Sequence, residues 1–164
     1  MVSARRTYLD ALIQPILKID NPNLSAGYYF YDLNAKLNYD FGDKNKLYVS
    51  GYFGRDKFYL SEKEKDYSTK VGLFWQNGTG TMRWNHLFTN KLFSNLSFIF
   101  SDYTMKIYMK EAMEDDKISM DYSSGIRDYS LKYDLTYVLN PSNTFYMGAI
   151  FTYHMFTPSA LALK

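Results

Sequence analysis

A chain of 164 residues is long enough for one ordinary domain and gives no reason to expect two. Its 19 basic and 17 acidic residues are scattered, for a net charge of +2, and form no run that could neutralise a row of phosphates, so nucleic acid is not an expected partner. Cys is absent, which excludes disulfide frameworks and thiolate sites, and no apolar run approaches the roughly 20 residues of a spanning helix.

Hydrophobic residues make up 46% of the chain, and 17 Tyr with 12 Phe favour extended structure. At the N-terminus, Arg5 and Arg6 are followed by neither an apolar core nor a cleavage site, so an export signal is expected to lie outside this chain. A first strand is predicted over Met1 to Tyr8. In the link from Asp10 to Gly27, Leu9, Leu12, Ile13, Ile16 and Leu17 recur at helical spacing and predict a short amphipathic helix interrupted by Pro15.

From Tyr29 to Phe41 the odd positions are all apolar, whereas the even ones carry Asp32, Asn34, Lys36, Asn38 and Asp40. This period of two predicts a strand with one apolar and one charged face. The pattern returns from Asp128 to Leu139, where Leu131, Tyr133 and Leu135 oppose Lys132 and Asp134, and again from Phe145 to Tyr153.

Less regular strands are predicted over Leu47 to Leu60, Thr69 to Phe88 and Leu92 to Met109. The apolar phase slips around Asn77-Gly78-Thr79-Gly80, which predicts a bulge or loop there. A second slip at Ser101-Asp102 predicts either a bulge or a strand rising out of a membrane band.

Compact turns are predicted at Gly42 to Asn45, Thr89 to Lys91 and Asn140 to Asn143. Looser links at Asp10 to Gly27, Ser61 to Asp66 and Glu111 to Lys117 alternate with them. Short turns on one side and long loops on the other characterise outer-membrane barrels, whose strands need about 9 to 11 residues to cross. The expected fold is therefore all-β: an antiparallel up-and-down transmembrane barrel segment of about seven strands, with a short helix in the first long loop.

Alternation alone leaves two orientations open. A soluble lipocalin-like barrel would turn the apolar face inward around an apolar small molecule; a membrane barrel would turn it toward lipid. Crowding of that face with Tyr, whose hydroxyls would need buried partners inside a soluble barrel, favours lipid, as does the position of Lys36 and Lys132 on the opposite face. The two orientations differ in where Leu37 and Leu135 point.

Val2 to Asp10, Tyr31 to Tyr39, Leu47 to Asp56, Thr81 to Phe88 and Lys91 to Asn95 together resemble the strands of TonB-dependent receptors of the Bacteroidetes type. The resemblance implies a bacterial outer-membrane barrel of about 22 strands with a plugged lumen, importing a siderophore, cobalamin or glycan. It also implies outer-membrane lipid, a plug domain, TonB and a surface lipoprotein as partners. Residues 1–164 show no recognisable plug, no TonB-contacting box and no aromatic C-terminal residue, so a partial barrel is expected. An outer-membrane structural barrel without an import role remains an alternative.

Asp32, Asn34, Lys36, Asn38, Asp40, Lys132 and Asp134 are the lumen-facing candidates for contact with a ligand or plug, set against a solvated or mutually paired wall. Glu111, Glu114, Asp115 and Asp116 read as an exposed hairpin tip rather than a calcium loop. His86 and His154 lie in separate strands, and no paired carboxylates or nucleophile arrangement emerges. The expectation is a non-enzyme without metal or cofactor.

Overall fold

The computed structural model describes residues 1–113 and 116–163, with side chains through Pro158; Glu114, Asp115 and Lys164 lie outside the described residues. Seven antiparallel strands follow one another in sheet order: β1 (Val2–Arg6), β2 (Leu24–Asp40), β3 (Asn45–Lys63), β4 (Tyr67–Thr89), β5 (Leu92–Met113), β6 (Asp116–Asn140) and β7 (Asn143–Leu163). One helix, α1 (Leu9–Asp20), follows the first strand. Among the described residues β1 and β7 form no ladder with each other, so the sheet is open.

The three compact turns fall where their residues demand. Gly42 adopts φ +88°, a left-handed conformation in which a side chain would be strained, and the Phe41 amide donates to the Asn45 carbonyl at 2.8 Å. At the β4–β5 turn the Thr89 hydroxyl accepts from the amides of Lys91 and Leu92. Asn140 accepts from the Ser142 amide at the β6–β7 turn.

On the opposite side the expected long loops shrink to short connections, apart from the first. β3 ends at Lys63 and β4 begins at Tyr67, with the Glu64 amide closing onto the Tyr67 carbonyl at 2.7 Å. Glu111 lies within β5, while Asp116 opens β6 opposite Met113, at the end of that hairpin. Tyr-, Thr- and Ser-rich sequence on both sides keeps donating to the ladder, so the strands extend where charge alone suggests loops.

The bulge predicted at Asn77 to Gly80 is corrected, and of the two alternatives at Ser101-Asp102 the bulge is excluded. Register runs unbroken through Asn77 to Gly80 and through Ser101-Asp102, and shifts occur elsewhere: at Leu87/Thr89, Ser123/Gly125 and Val138/Asn140. What changes at those slips is the chemistry of each face. Following the register outward from the compact turns, one face carries Leu37, Leu33, Val49, Phe53, Met82, Phe98, Leu131 and Phe151, then turns polar at Arg55, Gln76, Asp102 and Arg127.

The other face does the reverse, from Asn34, Ser50, Thr81, Ser97 and Lys132 to Phe58, Leu73, Ile107 and Met120. The strands thus rise past a boundary where both faces exchange character.

Helix α1 continues through Pro15, although that residue offers no amide to the ladder. It is held to the sheet by Gln14, whose amide nitrogen donates to Tyr59 Oη at 2.6 Å and Ser25 Oγ at 2.9 Å. Leu12, Ile16 and Ile19 point away from the sheet and are exposed. Among the described residues no hydrophobic side chain is buried.

Candidate functional site

The seven predicted site residues all lie on the polar face of the half nearest the compact turns, but in two groups. Asp32, Asn34, Lys36, Asn38 and Asp40 line β2; Lys132 and Asp134 line β6, four strands away. At a strand spacing of about 4.8 Å the groups stand about 19 Å apart, so the fold does not bring them into one cluster.

Each group is tied to near neighbours. Asp32 accepts from Arg5 Nε at 2.9 Å and Nη2 at 2.7 Å, which fastens β1 to β2. Asp40 meets Lys46 at 3.6 Å across the β2–β3 turn, and Lys132 meets Asp134 at 2.9 Å along its own strand. The Lys36 carbonyl accepts from the Met1 ammonium at 2.9 Å. Asn34 stands opposite Tyr52, and Asn38 opposite Tyr48.

Between the groups, and beyond them on β7, the register adds polar residues that do not stand out in single strands. Arg83 lies 4.8 Å from the Tyr48 ring centroid, Asn85 donates to Asn95 at 3.1 Å, and Ser130 and Thr152 are 2.9 Å apart. His154 Nδ1 is 2.8 Å from Asp128 Oδ1 in the next strand. Cross-strand pairing is the signal that gathers these residues, and it appears only once register is known. The result is a wide, hydrogen-bonded polar wall rather than a pocket.

The opposite face is organised by depth. Nearest the turns lie Phe41, Trp84, Phe88, Tyr137 and Phe145; furthest from them lie Tyr31, Phe53, Phe100, Tyr129 and Tyr153. Between these two aromatic rows the face is apolar, mixing aliphatic side chains with Tyr39, Phe98, Tyr133 and Phe151, and its side chains are exposed: Leu37 is 64%, Met82 51% and Leu131 51% accessible. The band runs from Leu33 on β2 to Phe41 just past its end, from Gly78 to Thr89 on β4 and from Tyr129 to Asn140 on β6. Those spans of 9, 12 and 12 residues are close to the roughly 9 to 11 with which a tilted strand crosses a bilayer.

His86, on this face, packs its ring edge against Phe88 with centroids 4.5 Å apart and shares a hydrogen bond with Asn45 at 2.7 Å. Beyond the band, Tyr28 donates to Asp56 at 2.5 Å. That hydrogen bond, then burial, then the carboxylate charge hold its phenol above the ordinary value.

No family model matches this chain, and no curated relative matches it. Among solved structures, a KdgM porin in complex with disordered oligogalacturonate is similar at 12% identity, covering 95% of this chain and 96% of that one. Its TM-score is 0.16, which carries no structural argument. The antiparallel up-and-down sheet is compatible with an outer-membrane β-barrel.

Proposed function

We propose that this chain is a wall segment of an outer-membrane transport barrel of the TonB-dependent class, serving uptake of a large or scarce nutrient. The observation that carries the reading is the exposed apolar band, bounded by aromatic rows and continuous across the sheet. Monomeric soluble proteins rarely expose contiguous apolar patches beyond a few hundred Å². In a bilayer the same face would meet acyl chains, and its Tyr and Trp rings would sit at the two interfaces.

The assignment to the TonB-dependent class rests on the resemblance of the strand sequences, and the nutrient class follows from that resemblance. The polar face would then line the aqueous interior, where a plug or passing ligand meets the Asp32 to Asp40 row and the Lys132-Asp134 pair. No catalysis is assigned. A soluble barrel would instead turn the same face inward around an apolar ligand, a reading that accessibility of Leu37 and Leu135 to water and to lipid distinguishes.

The two tryptophans provide a direct test. Trp84 lies in the band, whereas Trp75 lies on the other face, beyond the boundary. In vesicles of phosphatidylcholine with brominated acyl chains, a Trp75→Phe variant should lose most of its fluorescence, and a Trp84→Phe variant should keep it. Equal quenching of both, or of neither, would remove the basis for the wall reading.

A further inference from the structure

Cations that are scattered in the sequence meet on one patch of the folded sheet. Arg55 and Lys57 of β3, Lys70 of β4, and Lys106 and Lys110 of β5 line a depression of ≈ 380 Å³, with Asp121 of β6 as the acidic residue in its lining. All lie on the face that carries the apolar band, in the half beyond it.

Internal compensation is small. Lys106 reaches Asp121 at 3.8 Å, but Arg55, Lys57 and Lys70 take part in none of the ion pairs among the described residues. Arg55 lies 4.2 Å from the Phe74 ring centroid, and its Nε is buried without a hydrogen-bond partner. Lys70 and Lys110 stand directly opposite each other in the β4–β5 ladder, an arrangement of like charges that is unfavourable by itself. A polyanion would relieve the repulsion between the lysines and satisfy the arginine.

Position identifies the anion. Arg55 is the next residue on this face after Phe53, where the band ends, and Lys57, Phe74 and Lys106 share the following row. With steps of about 6.6 Å per two residues and a tilt near 45°, Arg55 and Lys57 lie about 5 and 9 Å above the hydrocarbon edge at Phe53, at headgroup height, and Lys106 lies about 14 Å above its own edge at Phe100. Lys70 and Lys110 stand about 19 and 23 Å above the edge on their strands, beyond a simple phospholipid headgroup.

We propose that the patch binds the phosphates of a phosphorylated saccharide lipid in the outer leaflet, whose acyl chains lie against the apolar band below. The proposal rests on the wall reading above. Arg55, Lys57 and Lys106 take the phosphate nearest the acyl chains, and Lys70 with Lys110 takes groups further out.

The experiment measures partition of the full chain into phosphatidylcholine vesicles with or without bisphosphorylated lipid A. The wild-type chain should prefer lipid A vesicles by at least about tenfold, a preference that weakens with salt. R55Q/K57Q/K106Q should lose that preference, and the charge-preserving R55K/K57R/K106R should retain it while leaving the far-ultraviolet β signal intact.

An unchanged preference in the glutamine variant would overturn the proposal, as would a wild-type chain that inserts equally into both vesicles. Loss of the preference on adding inorganic phosphate would assign the site to free phosphate and overturn the lipid assignment. Failure to insert even into neutral vesicles, with Trp84 unquenched, would instead count against the wall reading itself.

Discussion

Adjacent residues in β4 experience opposite surroundings. Met82 is half exposed in the middle of the apolar band, while Thr81 points to the polar wall between Ser50 and Ile99. A lysine facing lipid near the midplane costs about 2–4 kcal/mol, whereas one facing an aqueous interior can be hydrated. Met82→Lys should therefore lower unfolding stability in vesicles by about 2–4 kcal/mol, and Thr81→Lys by less than about 1 kcal/mol. Denaturant titration in phosphatidylcholine vesicles checks the pair; equal losses would contradict the assignment of the faces.

The elements differ in how firmly they are held. Strands β2 to β7 are joined by long ladders, but α1 buries no residue and rests on Gln14, which donates to Tyr59 and Ser25. Net contributions of about 1 kcal/mol per hydrogen bond make that anchor worth about 1–2 kcal/mol. Gln14→Ala should speed amide exchange across Leu9–Asp20 by about tenfold while leaving the β3–β5 ladders unchanged, as read by hydrogen-exchange mass spectrometry. Unchanged exchange in the helix would show that Gln14 does not hold it.

Much at this scale was legible in the sequence, because strict alternation from Tyr29 to Phe41 and the Gly42, Thr89 and Asn140 turns are local signals. The length of β6 was not. Its first half, from Asp116 to Arg127, is polar and mixed, and it becomes a strand through pairing with β5. The apparent bulge at Asn77 to Gly80 was a real change of environment, expressed in the side chains rather than the register. The cationic patch was hidden for the same reason: Arg55 and Lys106 are far apart in the chain and are brought near by two ladders.

At the scale of the whole molecule, the seven alternating strands among the described residues leave β1 and β7 running in the same direction at opposite edges. Each edge offers amides and carbonyls without a ladder partner among the described residues, which in hydrocarbon must be paired, in vesicles by further copies of the chain. Direct pairing of β1 with β7, within one chain or between copies in the same orientation, would create a parallel ladder. An all-antiparallel closed wall therefore requires an odd number of additional strands, which accords with a place in a larger barrel. Polar-wall groups on β2 and β6 that stand about 19 Å apart here would then belong to different sectors of one interior.

Every part of this account depends on which face meets acyl chains. The deciding measurement is a spin-label scan of single-cysteine variants from Asp32 to Tyr39, feasible because the native chain has no cysteine. In lipid vesicles, collision with oxygen should dominate at Leu33, Ala35, Leu37 and Tyr39, and collision with a water-soluble nickel chelate at Asp32, Asn34, Lys36 and Asn38. The opposite phase, or no alternation, would contradict it.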